Sequence, residues 1–112
     1  MELKYIFYIT VNQINGKFYF GVHRTNPDVF DGYIGCSIYR QAQATLDIAF
    51  HRAVRKYGYN NFKRTTIAIF PDTEEGREQA FKMETDIVTP TLLKSKNCYN
   101  TVVGGKGGDL HL

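Results

Sequence analysis

The sequence predicts a small α+β domain in which helices pack on a mainly antiparallel three-stranded sheet. Three observations lead to this fold class: an Asn-Gly turn between two aromatic runs, a later β-branched run, and two stretches with helical periodicity. The chain has 112 residues, the usual size of one domain, and 43% of them are hydrophobic. This apolar content is sufficient for one buried core without disulfide or zinc cross-links.

The chain opens with a predicted β-hairpin. Residues 4–12 and 17–22 are rich in β-branched and aromatic side chains, which favour strands. Asn15-Gly16 lies between these runs, and both residues tolerate the positive φ angles of a type I′ turn. The third strand is predicted over residues 64–70, which are again β-branched and aromatic.

Helical periodicity is present in two stretches. The first helix is predicted over about 46–57 and ends at Gly58. Its apolar face consists of Leu46, Phe50, Ala53, Val54 and Tyr57, and the basic residues Arg52, Arg55 and Lys56 lie on its solvent side. The second helix is predicted over about 73–88, opened by a capping box of Asp72 and Glu75.

The segment between the hairpin and the first of these helices contains many turn residues. Residues 24–37 include Asn-Pro and Asp-Gly pairs and are predicted to form a long loop. A short helix is predicted to begin near Ser37 and to carry Ile38, Tyr39 and Arg40.

The C-terminal residues differ in composition from the rest of the chain. A short last strand or extended segment is predicted over residues 99–103, and the next five residues are Gly-Gly-Lys-Gly-Gly. Such a glycine-rich run is typical of a flexible linker. The sequence therefore predicts one domain over residues 1–103 and a tail, or the start of a linker, over residues 104–112.

Composition excludes several classes of protein. No apolar run approaches the roughly 18 to 20 residues that a membrane span requires, and no signal peptide pattern opens the chain. The two cysteines, Cys36 and Cys98, are too few and too far apart for a zinc site, and we expect free thiols. These features predict a cytoplasmic protein without a membrane partner.

Positive charge is concentrated in one segment of a weakly basic chain. The formal net charge is +3, and no acidic residue lies between Asp47 and Asp72. The basic residues of that interval are Arg52, Arg55, Lys56, Lys63 and Arg64. The interval is compatible with a partner that carries phosphate groups, although a run of charge is also typical of an ordinary solvated surface.

One carboxylate lies on the apolar face of the second predicted helix. Glu84 is three or four residues from each of the apolar residues on that face, which are Ala80, Phe81, Ile87 and Val88. An unpaired carboxylate in a core is costly unless another group compensates its charge. An arginine partner and a bound metal ion are the two alternatives, and the spacing leaves both open.

Two strand motifs and three later motifs follow one another in a characteristic order. Ile6-Phe7-Tyr8 is the first, and Tyr19-Phe20-Gly21, with Phe in place of Ile, is the second. The later motifs are residues 50–62, Met83-Glu84, and Tyr99-Asn100 followed by Gly104-Gly105. Together they resemble the GIY-YIG nuclease superfamily, in particular small phage-encoded homing-type endonucleases. A literal Tyr33-Ile34-Gly35 lies too far from Tyr8 for the pattern and is interpreted as a chance match.

The resemblance implies a metal-dependent endonuclease that hydrolyses phosphodiester bonds of DNA. Glu84 would be the only protein ligand of one Mg²⁺ or Mn²⁺ ion, with water and substrate phosphate completing its coordination. Tyr8 would position or deprotonate the attacking water, and Tyr19 would hold the phosphate region. Arg40 would neutralise charge that develops on the phosphorane, and Arg24 is the alternative for this role.

Other roles follow from the same resemblance. His23 would share in handling the water or the leaving group, or it is a polar loop residue, and Asn100 would brace the site by hydrogen bonding. His51 faces either the substrate or plain solvent. The residues expected to contact the backbone of double-stranded DNA are Arg24, Arg52, Arg55, Lys56, Lys63 and Arg64. No small-molecule cofactor is implied, and homing-type relatives usually add a DNA-recognition domain after a C-terminal linker.

Three hypotheses about function therefore stand side by side. The first is a nuclease, the second is a catalytically inactive module that binds nucleic acid or protein, and the third is a structural domain with Glu84 in a core ion pair. The presence of Tyr8, Tyr19, Arg40 and Glu84 together favours the enzyme. As an enzyme, the chain would be either a catalytic domain of a longer protein or a stand-alone nuclease with relaxed specificity.

Overall fold

The predicted α+β fold is confirmed by the computed structural model, which describes residues 2–102 and 104. The elements are β1 (Lys4–Asn12), β2 (Phe18–Thr25), α1 (Ala49–Tyr57), β3 (Phe62–Phe70), α2 (Glu74–Ile87) and the short α3 (Pro90–Leu93). Single 3₁₀ turns occur at Gln41–Gln43 and Tyr59–Asn61. The strands form one antiparallel sheet in the order β2-β1-β3, so the first strand of the chain is the central one.

The hairpin is confirmed, but its turn differs from the predicted type. Gly16 adopts a φ of 77°, whereas Asn15 is not among the residues with positive φ. The Gly16 N–H donates to the Asn12 carbonyl at 2.7 Å, and the Asn12 N–H donates to the Lys17 carbonyl at 2.8 Å. These bonds close a wider loop than a type I′ turn, which needs positive φ at both central residues.

The two helices cover opposite faces of the sheet, because successive side chains of a strand alternate between its faces. Phe7 of β1 packs with Val22 of β2 against Ala80 and Phe81 of α2. Tyr8 therefore lies on the other face, where α1 and the long loop pack. This second face holds the larger core cluster, which consists mainly of Ile34, Ile38, Phe50, Val54 and Phe62.

The predicted helix near Ser37 is absent. Gly35, Cys36 and Ser37 have φ angles of 122°, 50° and 66°, and three consecutive positive φ angles cannot belong to a right-handed helix. The chain turns back on itself here, and a bridge joins Gly35 to Ile38. Arg40 lies in extended backbone directly before the first 3₁₀ turn.

The limits of both main helices also differ from the prediction. The first begins at Ala49, so that Leu46 stays outside it and is 52% exposed. The N-cap of α2 is Thr73, whose hydroxyl accepts a hydrogen bond from the Gly76 N–H at 2.9 Å, and not Asp72. Ile87 is the last residue of α2 and is exposed rather than part of the apolar face.

The C-terminal segment lies along the edge of β2. Cys98 forms a parallel bridge with Phe18, and the Tyr99 N–H donates to the Phe18 carbonyl at 2.7 Å. This pairing reaches the first residue of the predicted segment, Tyr99, and residues 100–102 after it form no strand. The Gly104 N–H donates to the Val88 carbonyl at 3.0 Å, and the rest of the predicted glycine-rich tail lies outside the described residues.

Two predictions from composition can be compared with the structure. Cys36 and Cys98 are both free thiols, as expected. Among the described residues, no helix combines the length and the apolar character that a membrane crossing needs.

Candidate active site

The two tyrosines of the strand motifs lie on the same face of the sheet. Tyr8 of β1 pairs with Gly21 of β2, and the next pair on that face joins Thr10 to Tyr19. A methyl group on Gly21 would overlap the Tyr8 hydroxyl, and one on Gly35 would overlap the Tyr19 ring. These two glycines therefore provide the space in which both phenol groups sit.

A third tyrosine completes an aromatic cluster around Tyr8. The rings of Tyr8 and Tyr33 meet edge to face with centroids 6.2 Å apart. The His23 ring stacks on Tyr33 with centroids 4.1 Å apart. Tyr33 thus lies at the site although Tyr33-Ile34-Gly35 is in the loop, and Tyr19-Phe20-Gly21 is the match that lies on the strand beside Tyr8. Spacing along the chain conceals this contact, because the loop returns to the sheet only after the turn at Gly35.

Asp31, which the sequence analysis did not single out, connects this cluster to the sheet. Its Oδ2 lies 2.7 Å from His23 Nε2 and accepts a hydrogen bond from the Thr25 hydroxyl at 2.9 Å. Its Oδ1 accepts from the Arg64 guanidinium and from the Tyr33 N–H, each at 3.0 Å. Four donors thus converge on one carboxylate.

Arg64 belongs to this buried network and not to an exposed basic surface. Its side chain is only 5% exposed, and besides Asp31 it donates to the Tyr33 carbonyl at 2.9 Å. The guanidinium also lies over the Phe30 ring, 4.9 Å from the centroid. The Arg64 charge is thus engaged inside the protein, and its contact with the DNA backbone stays a prediction.

Burial and hydrogen bonding shift the pKa values of four ionisable groups of the site, raising two and lowering two. Burial raises the pKa of Tyr8 and of Tyr19 well above the usual value, and the negative charge of Glu84 adds to both shifts. Burial, together with the nearby positive charge of Arg64, lowers the pKa of His23 more than the contact with Asp31 raises it. Burial alone would raise the pKa of Asp31, but the hydrogen bonds from His23, Tyr33 and Thr25 lower it to about 2. At neutral pH the site therefore contains neutral phenols, a neutral imidazole and an ionised Asp31.

Glu84 occupies the buried position that the helical pattern predicts. It is 6% exposed and lies on α2 with the buried residues Ala80 and Phe81, and the buried Val88 follows the last residue of the helix. Its negative charge raises the pKa values of both strand tyrosines, so the carboxylate lies near enough to the two phenols to act on them electrostatically. Within residues 2–102 and 104, no three or more His, Cys, Asp and Glu side chains form a group that could hold a metal ion.

Asn100 fastens the C-terminal segment to β2 beside the site. Its side-chain oxygen accepts from the Phe20 N–H at 2.8 Å, and its side-chain nitrogen donates to the Phe20 carbonyl at 2.9 Å. On β2, Phe20 lies between Tyr19 and Gly21, and both of these residues face the side of the sheet that carries Tyr8. The side chain thus makes the kind of bracing hydrogen bonds that the resemblance implies.

The two candidate arginines lie in different places. Arg40 is exposed and lines an open cavity of about 540 Å³ together with Tyr59 and Asp31. Arg24 lines another cavity, of about 340 Å³, together with His23 and Tyr33. Its guanidinium forms two hydrogen bonds of 2.8 Å with the exposed Asp72 carboxylate. The half-buried Arg77 of α2 lines the same cavity as Arg24.

The predicted basic residues do not form a single surface. Arg52, Arg55 and Lys56 are exposed on α1, as expected, and Arg52 pairs with Asp47 at 2.8 Å. Lys63 pairs with Val11 in the sheet, which places it on the face opposite Tyr8.

His51 is a structural residue of the core. It is 1% exposed, its Nδ1 accepts a hydrogen bond from the Leu46 N–H at 3.1 Å, and its Nε2 lies 2.8 Å from the Cys36 carbonyl. Both expectations for this histidine, substrate contact and solvent exposure, are wrong because the loop before α1 folds over the ring.

Relatives of the chain occur in Enterobacteria phage T4. The protein segE, named as a proposed endonuclease, is 45% identical over 101 residues, which cover 90% of this chain and 42% of segE. The protein segA, named an endonuclease, is 32% identical over 108 residues, which cover 96% of this chain and 42% of segA. This chain is similar to phage endonucleases. The chain spans less than half the length of these relatives.

Neither a family model nor a solved structure matches the chain. The named relatives nevertheless agree with the predicted class of protein, a nuclease, and with the predicted connection to bacteriophages.

Proposed function

We propose that this chain is a metal-dependent nuclease domain of the GIY-YIG type that cleaves double-stranded DNA. The observation that carries the proposal is the buried Glu84 carboxylate, whose charge acts on both Tyr8 and Tyr19. The similarity to phage proteins named endonucleases supports the same class of reaction. For the whole protein, we further propose a homing-type role in the cytoplasm of a bacterial host, with a DNA-recognition domain C-terminal to this one.

The donor atoms of the site suit Mg²⁺ or Mn²⁺. Glu84 supplies a carboxylate oxygen, and Tyr8 and Tyr19 bring phenol oxygens into its neighbourhood. Mg²⁺ binds oxygen ligands, keeps several waters, and is typically completed by substrate phosphates, so one protein carboxylate is a suitable anchor. When bound, such an ion polarises the phosphate and lowers the pKa of a coordinated water.

The protonation state of each side chain determines the role that it can take in the reaction. Because burial raises the pKa values of Tyr8 and Tyr19, both phenols are neutral in the protein before an ion binds, and each can donate a hydrogen bond to phosphate or water. The neutral imidazole of His23 is the stronger proton acceptor at neutral pH. In the proposed step, His23 takes a proton from the attacking water as the water oxygen bonds to phosphorus. The bond from phosphorus to the leaving oxygen breaks, and that oxygen takes a proton from solvent.

Arg24 is better placed than Arg40 to neutralise charge on the reacting phosphate. Arg24 lines the same cavity as His23, whereas Arg40 lines the cavity beside Tyr59. The ion pair between Arg24 and Asp72 is solvent-exposed, and such pairs contribute little stability. A DNA phosphate can therefore compete with Asp72 for the guanidinium.

Plasmid cleavage tests this proposal. Supercoiled plasmid is incubated with the protein and Mg²⁺, with EDTA added in a parallel reaction, and with the Glu84→Gln and Glu78→Gln variants. Glu78 lies on the exposed side of the same helix, so its variant changes the same charge outside the site. We expect nicking by the wild type and by Glu78→Gln, and none with EDTA or with Glu84→Gln. Undiminished cleavage by a folded Glu84→Gln protein would contradict the proposal.

A further inference from the structure

Asp31 and His23 form a polar pair in which each member is also held by contacts with other residues. The Asp31 carboxylate meets His23 Nε2 with one oxygen and is held through its other oxygen by Arg64 and by the Tyr33 N–H. The His23 ring is fixed in its plane by stacking on Tyr33, 21° from parallel. Both members of the pair are therefore held from several sides before any substrate binds.

The hydrogen bond determines which ring nitrogen carries the proton. An ionised carboxylate only accepts hydrogen bonds, so the His23 nitrogen that faces it, Nε2, must be the N–H donor. In a neutral imidazole the other nitrogen then has a free lone pair. We propose that Asp31 is a positioning residue, which holds His23 in the Nε2–H tautomer and leaves Nδ1 as the acceptor for the attacking water. The inference rests on the proposed nuclease function, because it assigns a task to His23 in that reaction.

The substitution Asp31→Asn is expected to reverse the tautomer rather than merely weaken the contact. Oδ1 of Asp31 accepts from two donors, Arg64 and the Tyr33 N–H, so the asparagine oxygen takes that position. The asparagine NH₂ group then occupies the place of Oδ2 and donates to His23 Nε2, which forces the proton onto Nδ1. The reactive nitrogen would thus be turned from an acceptor into a donor, with almost no change in side-chain volume.

The ring nitrogen shifts of ¹⁵N-labelled protein measure the tautomer directly. We expect His23 to show a protonated Nε2 and an unprotonated Nδ1 in the wild type, and the opposite pattern in Asp31→Asn. His51 is an internal reference, because its Nδ1 accepts from the Leu46 N–H and its Nε2 must donate to the Cys36 carbonyl in both proteins. The Thr25→Val variant removes another hydrogen bond to Asp31 but keeps the charge, and it should retain the wild-type pattern.

Single-turnover cleavage then connects the tautomer to the reaction. We expect Asp31→Asn to slow cleavage on the order of 10²-fold or more, with DNA affinity unchanged within about threefold, because a misdirected histidine impairs chemistry rather than binding. The Asp47→Asn control removes an exposed carboxylate that pairs only with Arg52 among its described contacts, and it should keep the wild-type rate.

The outcomes separate this inference from the function on which it rests. A wild-type His23 with its proton on Nδ1 would overturn the role of Asp31, and this result does not require that Asp31→Asn folds. A reversed tautomer with an unchanged cleavage rate would also overturn it. The expected tautomers together with no cleavage by any protein would support the positioning contact and contradict the nuclease proposal instead.

Discussion

At the scale of single residues, the site depends on a balance of charge around Asp31. Arg64 is almost completely buried and His23 largely so, and both direct their N–H groups at this carboxylate. Removing one partner of a buried charge pair is costly because the other charge is left uncompensated. Asp31 therefore contributes to stability as well as to the orientation of His23.

The depressed pKa of Asp31 gives this contribution a defined dependence on pH. Asp31 has a pKa of about 2 in the folded protein, against a usual value of 3.8. Its ionised form therefore stabilises the fold at pH values above 3.8. The stabilisation is lost as the pH falls through about 2. In urea unfolding, we expect Asp31→Asn to be less stable than the wild type at pH 7, and the difference to shrink between pH 4 and pH 2.

A matched variant makes this prediction specific. The Asp47 side chain is 92% exposed, and Asp47→Asn should change the free energy of unfolding little at any of these pH values. A difference between wild type and Asp31→Asn that stays constant or grows on acidification would contradict the role assigned to the carboxylate.

Sequence reasoning identifies those site residues that belong to regular elements. Tyr8, Tyr19 and Glu84 follow from strand motifs and from helical spacing, and the structure brings them together. Asp31 was not identified as a site residue, because its position depends on how a long loop returns to the sheet. Nothing in the spacing of a loop predicts such a path.

At the scale of elements, the beginning of α2 determines where Glu84 lies. Thr73 caps the helix, and the helix then passes so close to Pro71 that a Cβ atom at Gly76 would overlap the Pro71 carbonyl oxygen. A glycine is thus needed within the first turn. This close approach anchors the helix from which Glu84 reaches the tyrosines.

The substitution Gly76→Ala distinguishes this anchoring from ordinary helix propensity. Alanine is more favourable than glycine in a helix by about 1 kcal/mol, so propensity alone predicts a higher melting temperature. Because the Pro71 backbone cannot move aside as a flexible side chain can, we expect Gly76→Ala to lower the melting temperature by several degrees. Glu78→Ala, at an exposed position of the same helix, is the control for propensity. A melting temperature for Gly76→Ala at or above that of the wild type would contradict the anchoring.

The limits of the elements were less predictable than the elements themselves. Asp72 fits a capping box by sequence, but in the structure its carboxylate accepts two hydrogen bonds from Arg24 instead of capping the helix. Near Ser37, three consecutive positive φ angles replace the predicted helix, and the first of them is at Gly35, where the backbone approaches the Tyr8 and Tyr19 side chains closely.

At the scale of the whole molecule, the distribution of positive charge indicates how DNA would approach. The exposed basic residues of α1 lie on the side of the sheet that carries Tyr8, whereas Lys63 projects from the other face. A duplex that reaches the site can therefore contact α1 with its backbone without contacting Lys63. Such contacts supply affinity that depends on salt and little sequence information.

A pair of charge reversals tests this orientation. We expect Lys56→Glu to weaken DNA binding and to reduce the dependence of affinity on salt by roughly one counterion. Lys63→Glu makes the same change in net charge on the opposite face and should have a smaller effect. Equal loss of affinity in the two variants, measured by fluorescence anisotropy at several salt concentrations, would contradict a bound orientation set by α1.

The central claim is that Glu84 acts in chemistry and not in folding or DNA binding. The most direct test is the single-turnover cleavage rate of a labelled duplex by Glu84→Gln, measured together with its DNA affinity and melting temperature. We predict a rate lower on the order of 10²-fold or more, with affinity and melting temperature close to those of the wild type. A folded Glu84→Gln protein that cleaves DNA at the wild-type rate would contradict the account.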